Sequence, residues 1–384
     1  MPGRLAEGLA ALDGAGLRRV RRTLDGPQGP SARVDGREVA NFSSNDYLGL
    51  ANHPRLRAAA HAAIDAYGVG SGASPLVSGH SRAHEEAESR FARFVGLPRA
   101  LLFASGYAAN LGVLAALCDR HAEIFGDRLN HACLHDGAIL SRATYTRVRH
   151  LDLEGLGRAL AASKAPVKVI ATDTVFSMDG DVAPLPQLVA LADAHDAWLL
   201  LDDAHGIGVL GSTGRGSLEH FAIASPRILY MATLGKALGG YGAFVAGPGE
   251  AVEWLLQRSR TLVYSTALPP MAAAVASAAM QVIEEEPERV ARLRARIGEF
   301  RAAAQRQGLR LLPSETAIQP LVVGEPAPAM RAHERLLERG FLVPAIRPPT
   351  VPEGTARLRI SLCADHSRSG VEDLAASIAA SLGP

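Results

Sequence analysis

Two kinds of apolar pattern alternate along the chain. Short unbroken apolar runs ending in polar or glycine-rich turns read as buried strands; stretches with apolar residues every three to four positions read as amphipathic helices. Strand-type runs cover residues 101–103, 167–173, 197–202, 227–234 and 243–247, with two more at 317–324 and 355–362. Helical patterns cover residues 4–22 (Leu5, Leu9, Leu12), 56–67, 84–95, 107 onward, 185–197, the region of Trp254, 329–340 and the C-terminus. A longer helical stretch, 271–307, is broken near Pro287. Asp35-Gly36 inside ARVDGREVANF marks a hairpin. This alternation predicts an α/β protein with a smaller α+β C-terminal domain.

Composition narrows the class without changing that picture. The 384 residues are 48% hydrophobic and 21% charged, an ordinary globular balance. A net charge of +1 offers no overall field for nucleic acid or an anionic membrane, and no apolar run approaches a membrane span. The N-terminus carries Arg4 and Glu7 early and lacks a sustained apolar core, so a secretory signal is not expected. Cys118, Cys133 and Cys363 are far apart and form no C-x-x-C. A cytoplasmic enzyme is the expectation. The arginines 18, 19, 21 and 22 read as a solvated basic helix end.

Basic residues are unevenly chosen. Of 40 Lys+Arg, only Lys164, Lys168 and Lys236 are lysines. Lys236 follows the apolar run 227–234 and lies between glycine breaks, in TLGKALGGYG. A position needing only positive charge is usually filled by arginine here, so this lysine points to an amine able to lose its proton and form a Schiff base. A lysine in a surface loop is the alternative.

Other strand ends carry further chemistry. After 101–103, the turn Ser105-Gly106 leads into a helix from Tyr107, whose free N-terminal amides can bind phosphate; a plain βα turn is the other reading. The strand 197–202 delivers Asp202, Asp203 and His205 at its C-terminal end, where open α/β sheets bind ligands. The 167–173 run leads to a polar loop with Ser177 and Asp179. His131 and His135 have metal-ligand spacing, but H-E-x-x-H and a third ligand are missing, so no metal is expected. GIGVLG (206–211) matches a dinucleotide fingerprint without the helix that fingerprint needs, which disfavours a nicotinamide dehydrogenase. The glycine-rich 68–80 stretch lacks G-K-[ST] and reads as a flexible wall near a ligand or partner subunit. A lysine, an acid and a phosphate cradle are together the parts that hold pyridoxal 5′-phosphate.

The stretches NFSSNDYLGL, FASGYAAN, DRLNHACLHDG, VFSMDGDVAPL, LLDDAHGIGVLG, TLGKALGGYGAFVAG, LVYSTALPP and IRPPTVPEGTARLRISL carry a resemblance to the α-oxoamine synthases. It extends over about residues 16–380. The family consists of fold type I pyridoxal-phosphate enzymes. The resemblance implies a mixed, mostly parallel sheet flanked by helices, an N-terminal helical segment (1–40), a large cofactor domain (41–268) and a small C-terminal domain (269–384). It also implies a homodimer with its active site at the interface. NFSSNDYLGL and IRPPTVPEGTARLR are most similar to the branch that condenses L-alanine with pimeloyl-CoA, or pimeloyl on acyl carrier protein, in biotin synthesis. Branches using glycine with acetyl-CoA or serine with a long-chain acyl-CoA are the rivals. An inactive partner subunit would be expected to lack Lys236.

Carried over by motif, the resemblance makes Lys236 the cofactor lysine and Asp202 the partner of the pyridinium nitrogen. His205 would contact the cofactor's phenolic oxygen, and His131 would stack on its ring. Ser177 and Thr233 would hydrogen-bond the cofactor, and Ser105, Gly106 and Tyr107 would hold its phosphate, joined by Thr266 from the second subunit. Arg359 would bind the amino-acid carboxylate, with Arg357 on the same strand face as the alternative register. Asn45 would line the substrate site, and Thr350 and Arg19 the acyl side, with Arg18 or Arg21 as alternatives to Arg19.

Overall fold

The computed structural model describes residues 2–383, which pack as two compact units. The larger comprises Leu50–Ser177 and Asp181–Ala291; the smaller comprises the chain up to Gly49, Met178–Gly180 and the chain from Arg292.

The larger unit is built on a seven-stranded sheet. Its order is Arg99–Phe103, Ala243–Gly247, Ile228–Thr233, Trp198–Asp202, Lys168–Asp173, Glu123–Asp127 and Thr144–Val148. Ala243–Gly247 runs antiparallel to both neighbours, and the five strands from Ile228–Thr233 to Thr144–Val148 are mutually parallel. The central strands are buried on both faces, which is why they read as continuous apolar runs rather than alternating ones. Parallel strands all end on one edge, and that edge receives Asp127, Asp173, Asp202 and, after Thr233, Lys236. Thr144–Val148 went unread because TYTRV, half-exposed at the sheet edge, has little apolar signal.

The smaller unit holds two sheets. One orders Leu24–Asp25, Ser31–Val34, Arg37–Asn41 and Phe341–Leu342, the last parallel to its neighbour. The expected hairpin is its centre: Val34 pairs with Arg37, and Asp35 (φ 49°) and Gly36 (φ 80°) both take the left-handed conformation of a type I′ turn. The second sheet is antiparallel, Ile318–Gly324, Ala356–Ser361 and Ala345–Ile346.

Three expectations need correction. The first helix is Pro2–Gly14, not 4–22: Gly14 and Gly16 (φ 63°) stop it, so the arginine cluster is not a helix end. The helix 185–197 stops at Ala194, ahead of a left-handed Asp196 (φ 52°). The units also divide at 49/50 and 291/292, whereas the sequence placed boundaries at 40/41 and 268/269. Two contacts explain the shift. Phe42 and Tyr47 carbonyls accept from Ser361 and Ala364, which keeps 42–47 with the smaller unit. Helix Pro270–Glu285 packs on Pro54–Tyr67 and Arg82–Val95, which keeps it with the larger. The long helical stretch does break at Pro287, into Pro270–Glu285 and Glu288–Arg306.

Candidate active site

Lys236 lies in a turn closed by its own backbone. The amides of Leu234 and Gly240 bond the carbonyls of Gly242 and Leu234 at 2.9 and 2.8 Å, and that of Gly239 bonds the Lys236 carbonyl at 2.8 Å. The lysine is half-buried, and its Nζ is 2.7 Å from His205 Nε2, so the surface-loop reading does not hold. His205 is itself buried, three residues beyond the end of the adjacent parallel strand.

Asp202, 4% exposed, is gripped from two sides. Asn110 Nδ2 donates to its Oδ2 at 2.7 Å, and the Ala204 amide donates to its Oδ1 at 3.0 Å. Asn110 comes from helix Gly106–Leu117, capped by Ser105, whose Oγ accepts from the Ala108 amide at 3.1 Å. The Gly106 and Tyr107 amides, at the first two helical positions, fall outside the helix's own bonding ladder and remain available to an anion. An ideal Cβ on Gly106 would lie 3.8 Å from Thr233 Cβ, so the phosphate-type cradle and the Lys236 strand end adjoin. Thr233 Oγ1 donates to Gly242 O at 3.1 Å and accepts from the Gly235 amide at 3.3 Å.

His131 joins this group as the N-cap of helix Ala132–Ser141. Its amide donates to Asp173 Oδ2 at 2.6 Å, and its Nδ1 is 2.8 Å from Cys133 Sγ. Burial lowers its pKa; Asp202 opposes that and Lys236 reinforces it, leaving a neutral flat ring at neutral pH. Burial, then the charge of Asp202, holds Asp173 well above the usual carboxylate range. His135 turns instead to the Tyr145 hydroxyl, so the two histidines do not converge. Among the described residues no group of three or more His, Cys, Asp or Glu is placed to hold a metal ion. Tyr107 sets its ring edge toward His131, with 6.4 Å between centroids, and hydrogen-bonds Asp136. Ser177 is half-buried just beyond Phe176, and GIGVLG forms turns without a helix. Thr266 is exposed and shares a cavity lining with His84 and Glu88; no side-chain hydrogen bond joins it to the Lys236 group among the described residues.

The remaining candidates lie in the smaller unit. Arg359, 5% exposed, donates to Asn45 Oδ1 at 3.2 Å, Ser361 Oγ at 3.0 Å and Tyr47 OH at 3.4 Å. Arg357 is taken up by an ion pair with Asp179 and by Thr355, which favours Arg359 in the choice of register. Arg19 Nη2 reaches Thr350 Oγ1 at 3.4 Å, so these two candidates do meet. Arg18 pairs with Asp13 at 2.8 Å and Arg22 with Asp35 at 3.3 Å.

Asn110, Asp173 and Tyr47 were missed as parts of these clusters. Asp173 ends an apolar strand just as Asp202 does, and that signal would have found it. The donor set of the larger unit fits pyridoxal phosphate: a half-buried amine, a buried carboxylate, first-turn helix amides and a neutral imidazole converge from neighbouring strand ends.

Comparison with known proteins agrees. A model of the family described as aminotransferase class I and II matches residues 37–378. An 8-amino-7-oxononanoate synthase of Methylobacillus flagellatus is 55% identical, over 94% of this chain and 91% of its own. SPT solved with its PLP internal aldimine superposes with a TM-score of 0.93 at 29% identity, covering 99% of this chain and 96% of that one. The 8-amino-7-oxononanoate synthase of Francisella tularensis superposes with a TM-score of 0.78 at 30% identity, covering 89% and 97%.

Proposed function

The chain belongs to the 8-amino-7-oxononanoate synthase family, within the class I and II aminotransferases, and from this we propose that it condenses L-alanine with a pimeloyl thioester. The products are 8-amino-7-oxononanoate, CO2 and the free thiol carrier, in biotin synthesis. The cofactor is pyridoxal 5′-phosphate, which when bound supplies a ring that draws electron density from the amino acid's Cα.

The chain's own residues do the rest. Lys236 anchors the cofactor through Nζ and, once released by the substrate amine, takes and returns the proton at Cα. Asp202, fixed by Asn110, holds a proton on the ring nitrogen. His205 is the partner of the phenolic oxygen. The Gly106 and Tyr107 amides, with Ser105, bind the phosphate, and Thr266 of a second copy completes that cradle in a cytoplasmic homodimer. His131 would give the ring a flat face to lie against and, together with Arg359 on the carboxylate, would orient the amino acid. Ser177 and Thr233 fix the ring's edge. Arg359 binds the alanine carboxylate beside Asn45, while Arg19 and Thr350 meet the acyl carrier, CoA or acyl carrier protein.

One observation carries this reading most: Lys236 Nζ sits 2.7 Å from His205, three residues along the chain from a buried, doubly held Asp202. The substrate reading is tested by offering L-alanine, glycine and L-serine in turn, each with pimeloyl, acetyl and palmitoyl thioesters. Alanine with pimeloyl thioester is the preferred pair. Preference for glycine with acetyl or serine with palmitoyl would move the chain to another branch.

A further inference from the structure

We propose that His150 is a positioning residue whose imidazole staples together the two strand-end turns that carry His131 and Ser177. This rests on the reading of those two residues as cofactor contacts.

His150 lies just past the edge strand Thr144–Val148. Its Nδ1 is 3.0 and 3.1 Å from the two carboxylate oxygens of Asp127, and its Nε2 is 2.8 Å from Asp181 Oδ2. A neutral imidazole has one donor nitrogen and one acceptor; two carboxylates on opposite nitrogens call for both to carry hydrogen. The surroundings support that charge. Burial opposes it, but the hydrogen bonds to Asp127 and then Asp181 outweigh burial and raise the group to about 10. The ring is held in plane by Phe176, edge to face with centroids 4.5 Å apart.

Each carboxylate organises one turn. Asp127 ends strand Glu123–Asp127; its Oδ1 accepts from the Leu129 amide at 2.8 Å and its carbonyl from Asn130 at 3.2 Å, shaping the turn that delivers His131. Its Oδ2 also accepts from the Leu151 amide at 2.9 Å, which fastens the segment holding His150 itself. Asp181 closes the other turn: its carbonyl accepts from the Phe176 amide at 3.0 Å beside a Val175–Val182 bridge. Ser177 follows directly. The Asp181 Oδ1 atom is buried without a hydrogen-bond partner among the described residues, so the side chain depends on His150 through its other oxygen. The strands feeding these turns, Glu123–Asp127 and Lys168–Asp173, are sheet neighbours, and His150 bridges them just beyond the last ladder bond.

Two variants, His150→Gln and Asp181→Ala, test the staple in the cofactor-free full-length protein by amide hydrogen exchange. His150→Gln speeds exchange at 128–131 and at 175–177 with 181–183, and leaves 206–216 unchanged. Asp181→Ala speeds only the second turn. A titration with pyridoxal phosphate then shows a dissociation constant raised about tenfold in His150→Gln, the size expected for one lost charged contact. Faster exchange everywhere, or turn-specific exchange with unchanged cofactor affinity, would reduce His150 to a general stabiliser and overturn the proposal. If the unaltered protein bound no pyridoxal phosphate, the functional reading would fall, and the exchange pattern alone would still decide whether the staple exists.

Discussion

A carboxylate beside a ring nitrogen matters through its charge, and an amide of the same shape cannot replace it. Asp202→Asn preserves the bulk at the end of its strand and a bond to Asn110, but no longer holds a proton on the cofactor nitrogen. Turnover is expected to fall about 10²–10⁴-fold, the usual range for a lost proton-holding group, with the circular dichroism spectrum unchanged; near-normal turnover would remove Asp202 from its role. At this scale the site was partly legible. Lys236 stood out because lysine is rare in this chain, and Asp202 because an acid ended an apolar run. Asn110 and Cys133 gave no such signal. Asn110 reaches Asp202 from a helix 92 residues earlier in the chain, and Cys133 meets His131 locally because His131 caps the helix that carries it. A single sequence records neither which helix face meets which strand end nor where a capping side chain turns.

At the scale of elements, the turn from Leu234 to Gly242 shows how backbone geometry places a side chain. Gly239 has φ 64°, and a Cβ there would lie 2.5 Å from both the Leu50 carbonyl carbon and the Ala51 amide nitrogen. Backbone on the far side cannot yield as a flexible side chain would. Gly239→Ala is therefore expected to lower stability by about 1–3 kcal/mol, seen as a lower urea midpoint; an unchanged midpoint would contradict the packing described. The glycine breaks were visible in the sequence, as were the Asp35-Gly36 hairpin and the Pro287 helix break. The parallel pairing of Phe341–Leu342 on Arg37–Asn41 was not: two residues carry no periodicity, and their register is set by tertiary packing. The overlong first helix arose because the apolar pattern ran on past glycines that stop it.

For the whole molecule, the acid response and subunit sharing can be tested separately. His366 is buried, stacked on Phe42 with centroids 4.0 Å apart; its Nδ1 accepts from the Cys363 amide at 3.0 Å, and its Nε2 donates to the Asn41 carbonyl at 3.0 Å. Protonating Nδ1 would set two donors against each other. Burial lowers its pKa to about 4, so the folded state favours the neutral ring. The stability this contributes is full above the unfolded value near 6.5 and is lost as pH falls through about 4. Thermal unfolding should therefore shift down between those limits, and His366→Gln should flatten the shift; an equal slope in the variant would contradict this. Subunit sharing is tested by complementation. If Thr266 serves the partner's site, mixed dimers of Lys236→Ala and Thr266→Val each hold one intact site and recover activity that neither variant has alone. No recovery in verified mixed dimers would place Thr266 in its own subunit's site or outside the chemistry. The α/β class was legible at this scale because buried strands are continuous apolar runs between helical patterns, whereas the mostly parallel sheet was implied by the family resemblance and not by those runs. The unit limits were not, since residues 42–47 join the C-terminal sheet through main-chain bonds that leave no mark on side-chain pattern.

The central claim is that Lys236 carries the cofactor, and the chain's lysine content makes a direct measurement clean. Protein loaded with pyridoxal phosphate is reduced with borohydride, digested and mapped by mass spectrometry. The account predicts one modified peptide, containing Lys236, and disappearance of the visible absorbance band. A label on Lys164 or Lys168, or no label on protein that has taken up the cofactor, would contradict it.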